Sequence, residues 1–234
     1  MTDGFINIEY TSKNMDRYLV RTSIKKAMLL ASTKFKGQLL DIGCGKMPYK
    51  SLLYNNASID SYTGLDIDTA LQYDEKIDAD VVWDGTKMPF DDAQFNCAMA
   101  TEVLEHCPDP ELVLKETYRV LKNDGVLFFT VPYLWPLHET PNDQYRYTPF
   151  ALRRHLEQSG FKHVDISALG GWHAAMAQML GLWLRRSPMS SRKRHYLSKL
   201  MFPVYKYLIR KDNAENVEFV DGQMITGLFG FAYK

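Results

Sequence analysis

Cysteine is scarce. The 234 residues hold three, Cys44, Cys97 and Cys107. They cannot all pair with one another, and their spacing is not that of a metal-ligand set. Reduced thiols, a cytoplasmic setting and no bound metal are therefore expected. Net charge is absent too, with 28 Lys and Arg against 28 Asp and Glu. That argues against a nucleic-acid binder, which is usually basic overall. Long hydrophobic runs are missing. The most apolar stretch, Leu169–Leu184, is broken by Gly170, Gly171, His173 and Gln178, short of the roughly 18 uninterrupted residues a spanning helix needs. The opening MTDGFINIEY has no basic start followed by an apolar core, so no targeting signal is expected. Internal repeats and low-complexity segments are also lacking.

What is present is an ordinary globular composition, 46% hydrophobic and 24% charged, enough apolar side chain to offset the entropy of ordering. The charge is uneven. Residues 185–211 carry nine Lys and Arg and no Asp or Glu, which leaves 19 basic against 28 acidic elsewhere. Tyr196, Leu200, Val204 and Tyr207 are interleaved with those charges. The segment reads first as a solvated helical insertion with its apolar side on the domain. Peripheral contact with an anionic membrane through 185–211, or contact with a second copy in a homodimer, are the other readings.

Short apolar runs punctuate the chain: QLLDIG from 38, SYTGLDID from 61, DADVVWD from 78, FNCAMAT from 95, GVLFFTV from 125, HVDIS from 163, and the tail MITGLFGFAYK, placed close to a sheet edge. Stretches with helical spacing lie between them, at 15–35, from about 103, at 111–121 and at 149–159. Runs without alternation suit strands buried on both faces. The pattern predicts a doubly wound α/β fold with a mostly parallel seven-stranded sheet and a helical insertion, 170–215, before the last strand. Residues 1–36 read as an N-terminal helical cap and 37–234 as one domain. Within the insertion Trp172, Met176, Met179, Leu180 and Trp183 form a stripe at helical spacing, usually core, and here also a candidate roof for an apolar acceptor pocket.

The loop after the first strand reads Asp41-Ile42-Gly43-Cys44-Gly45-Lys46-Met47-Pro48. Two glycines one residue apart let the backbone turn and approach a ligand closely. Ligands of open parallel sheets bind at the carboxyl ends of the strands. Asp66 ends the second strand, where a carboxylate can hold both hydroxyls of a ribose. The pair points to an adenosine-bearing cofactor. A nicotinamide dinucleotide is the rival, but the third glycine of its fingerprint is Pro48 here.

From Leu39 to Phe161 the sequence resembles class I S-adenosylmethionine-dependent methyltransferases, most nearly those with a type 11 core. LLDIGCGKMPY, YTGLDID, DVVWDGTKMPFDDAQFN, ATEVLEHCPDP and RVLKNDGVLFFTVP carry the resemblance. It implies a Rossmann-like methyltransferase fold, with Asp41, Gly43, Cys44 and Gly45 lining the methionine end of S-adenosylmethionine. It also implies Asp66 on the ribose, Ile67 on the adenine, Asp84 and Gly85 at the adenine edge, and Thr101 and Glu102 beside the sulfonium. Glu105 and His106 read as a structural helix start.

After the fifth strand, four prolines between 132 and 149 shape a loop that also holds His138, Glu139, Asp143, Tyr145 and Arg146. Similar stretches occur in members of this family associated with glycan and small-molecule modification. The expectation is methyl transfer to oxygen of a small molecule or glycan. His138 is the candidate base, and Tyr145, Arg146 and Trp172 are candidate acceptor contacts. The competing reading of the loop is structural, with His138 tying it down and Arg146 paired to Asp143 or Glu139. The alternatives for the whole chain are a non-catalytic cofactor-binding partner and an NAD-dependent oxidoreductase.

Overall fold

Leu39, Leu40 and Ile42, then Cys97, Ala98, Met99 and Ala100, then Leu127, Phe128, Phe129 and Val131 are buried without a break in each run. Strands covered on both faces need such sequences, and these three form the centre of the sheet. The computed structural model describes residues 3–67 and 79–234; Asp68 and Asp78, at the margins of two of the apolar runs, lie outside the described residues. The strands are β1 (Lys36–Ile42), β2 (Ser58–Ile67), β3 (Val81–Trp83), β4 (Phe95–Thr101), β5 (Leu121–Pro132), β6 (His163–Ala168) and β7 (Gly227–Tyr233). They lie in the order β3-β2-β1-β4-β5-β7-β6.

β3, β2, β1, β4 and β5 run parallel to one another, with Leu39 opposite both Tyr62 and Cys97. β7 reverses direction. The amide of Lys162 donates to Tyr233 O and that of Leu169 to Gly227 O, while Tyr133 N donates to Thr226 O and Lys234 N to Gly125 O. These crossed-over pairings are antiparallel. The tail strand thus lies one place in from the edge, and β6 is the edge itself.

The helices are α1 (Asp3–Ile6), α2 (Tyr18–Ser32), α3 (Lys50–Asn56), α4 (Pro110–Val120), α5 (Pro149–Gln158), α6 (Trp172–Arg186) and α7 (Ser191–Lys211). Two of them start on the same device. The Asp109 carboxylate accepts from Leu112 N at 3.0 Å and the Thr148 hydroxyl from Ala151 N at 3.2 Å, each followed by proline at the first helical position. Such caps contribute about 1 kcal/mol each.

The chain forms two compact units. One comprises Met28–Pro132, Pro136–Ile166 and Phe229–Lys234; the other comprises Met1–Ala27, Tyr133–Trp135 and Ser167–Leu228. In the first, Arg119 fastens the segment before β4: its guanidinium donates to Met88 O, Phe90 O, Glu116 and Asp92 at 2.7–2.9 Å. In the second, Met15, Ala177, Leu184 and Tyr205 form a fully buried cluster flanked by Leu197, Met201, Phe202, Leu208 and Ile209. A Cβ on Gly181 would lie 2.1 Å from Met15 O, so only glycine permits that approach.

Here the structure corrects one expectation. The α6 stripe faces outward: Trp172, Met176, Met179 and Trp183 are each about half exposed. The packed side of α6 is instead Ala174, Ala175, Ala177, Gly181, Leu182 and Leu184. Small residues let the helix approach its neighbours closely, and the large apolar side chains are left outside.

Candidate active site

β1 and β2 end side by side, with Asp41 opposite Gly64 and Ile42 opposite Leu65. The turn leaving β1 takes left-handed backbone at Gly43 (φ 62°) and Gly45 (φ 50°), a conformation that glycine adopts at little cost. A Cβ on Gly43 would strike the Val103 side chain at 2.6 Å, whereas one on Gly45 would meet nothing within 4 Å. The first glycine is thus required by packing, and the second leaves room for a ligand against the backbone. Cys44 is buried, its amide donating to Leu65 O at 3.1 Å.

Two carboxylates hold this turn. Asp66 Oδ2 accepts from Gly45 N and its Oδ1 from Ile67 N, both at 2.9 Å. Each oxygen retains a lone pair for a further donor. Asp41 lies at the end of β1, 3% exposed, accepting a short hydrogen bond from the Tyr62 hydroxyl. Burial pushes its carboxyl up to about 7, and the nearby Asp66 charge adds to the rise. Burial raises Asp66 as well. A site that makes two acids reluctant to ionise is one in which an incoming cation or a set of hydroxyl donors is favoured.

Ile67, at the strand end, is 40% exposed, so its side chain is available as a packing surface. Asp84 is exposed and folds back on itself, accepting from Thr86 N and Oγ1 at 2.8 and 2.6 Å. These bonds hold its carboxyl below the ordinary range. Gly85 follows in left-handed backbone (φ 81°) with open space beside it.

At the end of β4, Thr101 Oγ1 is buried without a partner. Glu102 has left-handed backbone (φ 56°). Its amide donates to Thr130 O at 3.0 Å and its Oε1 accepts from the Thr130 hydroxyl at 2.8 Å. A strained non-glycine residue held from both ends is a common feature of functional sites.

The loop after β5 folds against the turn after β4. Glu105 O accepts from the amides of Gln144 and Tyr145 at 2.8 and 3.1 Å. The Asp143 carboxylate is 2% exposed and takes a two-pronged bond from Arg146 at 2.5 and 2.7 Å, along with His138 N at 3.2 Å. This pairing holds the Asp143 carboxyl down at about 2. The His138 ring packs edge-on against His106 with centroids 4.7 Å apart, and burial lowers the pKa of both imidazoles. Tyr145 stacks on Tyr147, and its hydroxyl donates to Pro108 O at 3.1 Å. Trp172 belongs to the other compact unit, its indole N–H donating to Gly222 O at 2.9 Å.

Residues 40–129 match the family described as a methyltransferase domain. Over those residues the chain is similar to methyltransferase domains. None of the curated proteins compared with it matches. Among solved structures it is similar to an S-adenosylmethionine-dependent methyltransferase from Archaeoglobus fulgidus, with 17% identity, 95% of this chain and 97% of that one covered, and a TM-score of 0.57. It is also similar to a methyltransferase of this type from Thermotoga maritima, with 12% identity, 91% and 89% covered, and a TM-score of 0.52. Phosphoethanolamine N-methyltransferase 2 of Haemonchus contortus, solved with S-adenosyl-L-methionine, has 14% identity, 100% and 59% covered, and a TM-score of 0.55. These likenesses describe the fold.

S-adenosylmethionine is the cofactor that the resemblance implies, and the residues of this crevice suit that group. Gly45 leaves open space against the backbone, and the buried Asp41 offers a carboxylate that an ammonium would relieve. Each oxygen of Asp66 accepts one backbone amide and keeps a lone pair for a hydroxyl donor.

Sequence reasoning overlooked two residues of this region as more than a helix start. Glu105 is fully buried, and neither of its carboxylate oxygens has a hydrogen-bond partner. His106 turns Nδ1 toward Asn142 O at 3.2 Å. The signal in the sequence is the Glu-His pair itself, two polar residues in a turn where Leu104 is core.

Proposed function

We propose that the methyltransferase acts on a hydroxyl oxygen of a small molecule or glycan, and that the cluster around His106, His138 and Glu105 draws off the acceptor's proton. When bound, S-adenosylmethionine supplies an electrophilic methyl group on a sulfonium whose sulfur leaves as a neutral thioether. The chain therefore needs no acid for the leaving group. It needs to hold the acceptor in line and to take its proton. One observation carries the reading: two imidazoles whose burial keeps them neutral near pH 7 stand together on a loop fastened by the Asp143–Arg146 pair. A neutral imidazole is a competent proton acceptor at that pH. Tyr145, about one-third exposed, offers a ring for an acceptor to stack on.

The test is S-adenosylhomocysteine release across a panel of sugars, catechols and amines. Turnover on hydroxyl compounds that disappears with their O-methylated analogues supports the reading. His138→Ala should lower kcat by roughly 10²–10⁴. Turnover confined to amines would contradict it.

A second observation bears on where the acceptor is met. The outward face of α7 presents Tyr196, Leu200, Val204 and Tyr207, each between 44% and 66% exposed. Arg192, Lys193, Lys199, Arg210 and Lys211 are exposed on the same helix, and it contains no acidic residue. Apolar side chains among unopposed positive charges match an anionic lipid surface. No described helix is long and apolar enough to cross a membrane.

A further inference from the structure

We infer that Glu105, His106 and His138 form a binding site for a first-row divalent transition-metal ion. The inference rests on the O-methylation reading above and states how the cluster draws off the proton. Ligand atoms of the three residues all lie within 4.8 Å of one another. His106 Nε2 is 3.7 Å from Glu105 Oε1 and 3.6 Å from Glu139 Oε2. Donors sharing one ion at about 2.0–2.2 Å stand roughly 3–3.5 Å apart, so small side-chain rotations bring this set to bonding distance.

Four features favour a cation here over an ordinary buried acid. Glu105 is 0% exposed and both its oxygens lack a hydrogen bond, an expensive state for a carboxyl group unless something outside the chain satisfies it. His106 is oriented from behind, with Nδ1 facing Asn142 O at 3.2 Å. A backbone carbonyl behind one nitrogen places the proton there and leaves Nε2 as the lone-pair donor, the usual second layer of a metal site. His138 Nδ1, 3.3 Å from Asp143 Oδ2, is buried and makes no hydrogen bond, so it too has a nitrogen unsatisfied by the chain. The surroundings hold several acids, Glu102, Glu105, Glu139 and Asp143, with Arg146 beside them paired to Asp143. Finally, the donors come from two separate segments, the turn after β4 and the loop after β5, so the fold and not local sequence assembles them.

Two imidazoles with carboxylate suit manganese, iron, cobalt or zinc better than magnesium or calcium. Three protein ligands leave positions open. An acceptor hydroxyl bound there would lose its proton to solvent far more readily than a free one. His138 would then serve as a ligand, not as a free base.

The test uses the full chain, freed of metal with a chelator and titrated with cobalt(II) chloride. Visible absorption and thermal unfolding are both followed. The expected result is one cobalt ion per chain with a saturating spectrum, and affinity weakened at least tenfold in His138→Ala and His106→Gln. Glu105→Gln should abolish the spectrum. A thermal shift with S-adenosylhomocysteine, equal in wild type and variants, confirms that each variant is folded. If the wild type binds no cobalt saturably, or if all three variants bind it as the wild type does, the inference is overturned. Should that happen while S-adenosylhomocysteine still stabilises the protein and hydroxyl compounds still turn over, the functional reading survives and the metal site alone is wrong. Cobalt bound through these residues in a protein that methylates only amines would keep the site and refute the oxygen acceptor.

Discussion

Gly45 N donates to Asp66 Oδ2 at 2.9 Å across 21 positions of sequence. This bond joins the glycine turn after β1 to the end of β2, and it makes one carboxylate serve two purposes. It holds the turn in its left-handed shape, and under the proposed reading it also accepts from the ribose hydroxyls. Asp66→Ala should remove both. A hydrogen bond to a charged group contributes about 1.5–3 kcal/mol, so S-adenosylhomocysteine should bind roughly 10- to 100-fold more weakly by isothermal titration calorimetry. Asp66→Asn keeps the acceptor toward Gly45 and should lose less. Equal affinity in Asp66→Ala and wild type would show that the carboxylate does not face the nucleoside.

Asp41 gives the site a pH dependence. Its carboxyl rises from about 3.8 to about 7 on burial. An acid raised in the folded state favours folding below its unfolded pKa, and that contribution is lost as pH climbs through about 7. Unfolding free energy should therefore fall between pH 4 and 7.5 in the wild type and change less in Asp41→Asn. Ligand binding should show the opposite trend, because an ammonium group prefers the ionised carboxylate. The affinity for S-adenosylhomocysteine should strengthen as pH rises from 6 to 8, and this slope should vanish in Asp41→Asn.

Much of the fold was legible because buried parallel strands leave a plain mark. Leu39 to Ile42 and Val126 to Val131 are mostly apolar without alternation, broken only by Asp41 and Thr130, and a glycine or proline lies beside each. The turn after β1 was legible for a related reason. Its left-handed backbone at Gly43 and Gly45 and the carboxylate of Asp66 that bonds it are residue types that stand out singly. The acceptor side was harder to read. Glu105 looks like a helix-start residue until the loop after β5 folds over it and removes it from water, and that contact joins it to Gln144 and Tyr145, about 40 positions on. The α6 stripe misled for a different reason. Helical periodicity reveals that one face differs from the rest, not which face is turned inward. The alanines and Gly181 took the packed side because they allow a close approach.

The Asp143–Arg146 pair holds the acceptor loop in shape. Asp143 is almost fully buried, and its carboxylate takes both the guanidinium and the amide of His138. Asp143→Ala would leave Arg146 without that partner and cost about 1–3 kcal/mol. It should raise the KM for acceptor more than it weakens S-adenosylhomocysteine binding. Arg146→Lys cannot reproduce the two-pronged bond and should behave similarly. Because pairing depresses the Asp143 carboxyl to about 2, its contribution to stability is present above about pH 4 and is lost as pH falls toward 2. Chemical denaturation from pH 2 to 6 on wild type and Asp143→Ala measures it.

The α7 face yields an interaction prediction. Vesicles containing anionic lipid should retain the protein in a sedimentation assay at low salt, and retention should fall as salt rises, since surface charges are screened within about 10 Å at 0.1 M. Tyr196→Ser combined with Leu200→Ser should weaken retention without altering S-adenosylhomocysteine affinity. Failure to sediment with anionic vesicles would leave the face to another partner, and a concentration-dependent dimer in ultracentrifugation would identify that partner as a second copy.

The central claim is that the crevice beside Gly45 and Asp66 holds S-adenosylmethionine. Thermal unfolding with S-adenosylmethionine, S-adenosylhomocysteine and NAD, each supplied in turn, tests it most directly. A ligand at about 100 times its dissociation constant adds about 2.7 kcal/mol, and at roughly 2–4 °C per kcal/mol for a chain of this size the two sulfur nucleosides should raise the midpoint by about 5–10 °C, with NAD giving none. A rise with NAD and no change with either sulfur nucleoside would contradict the account.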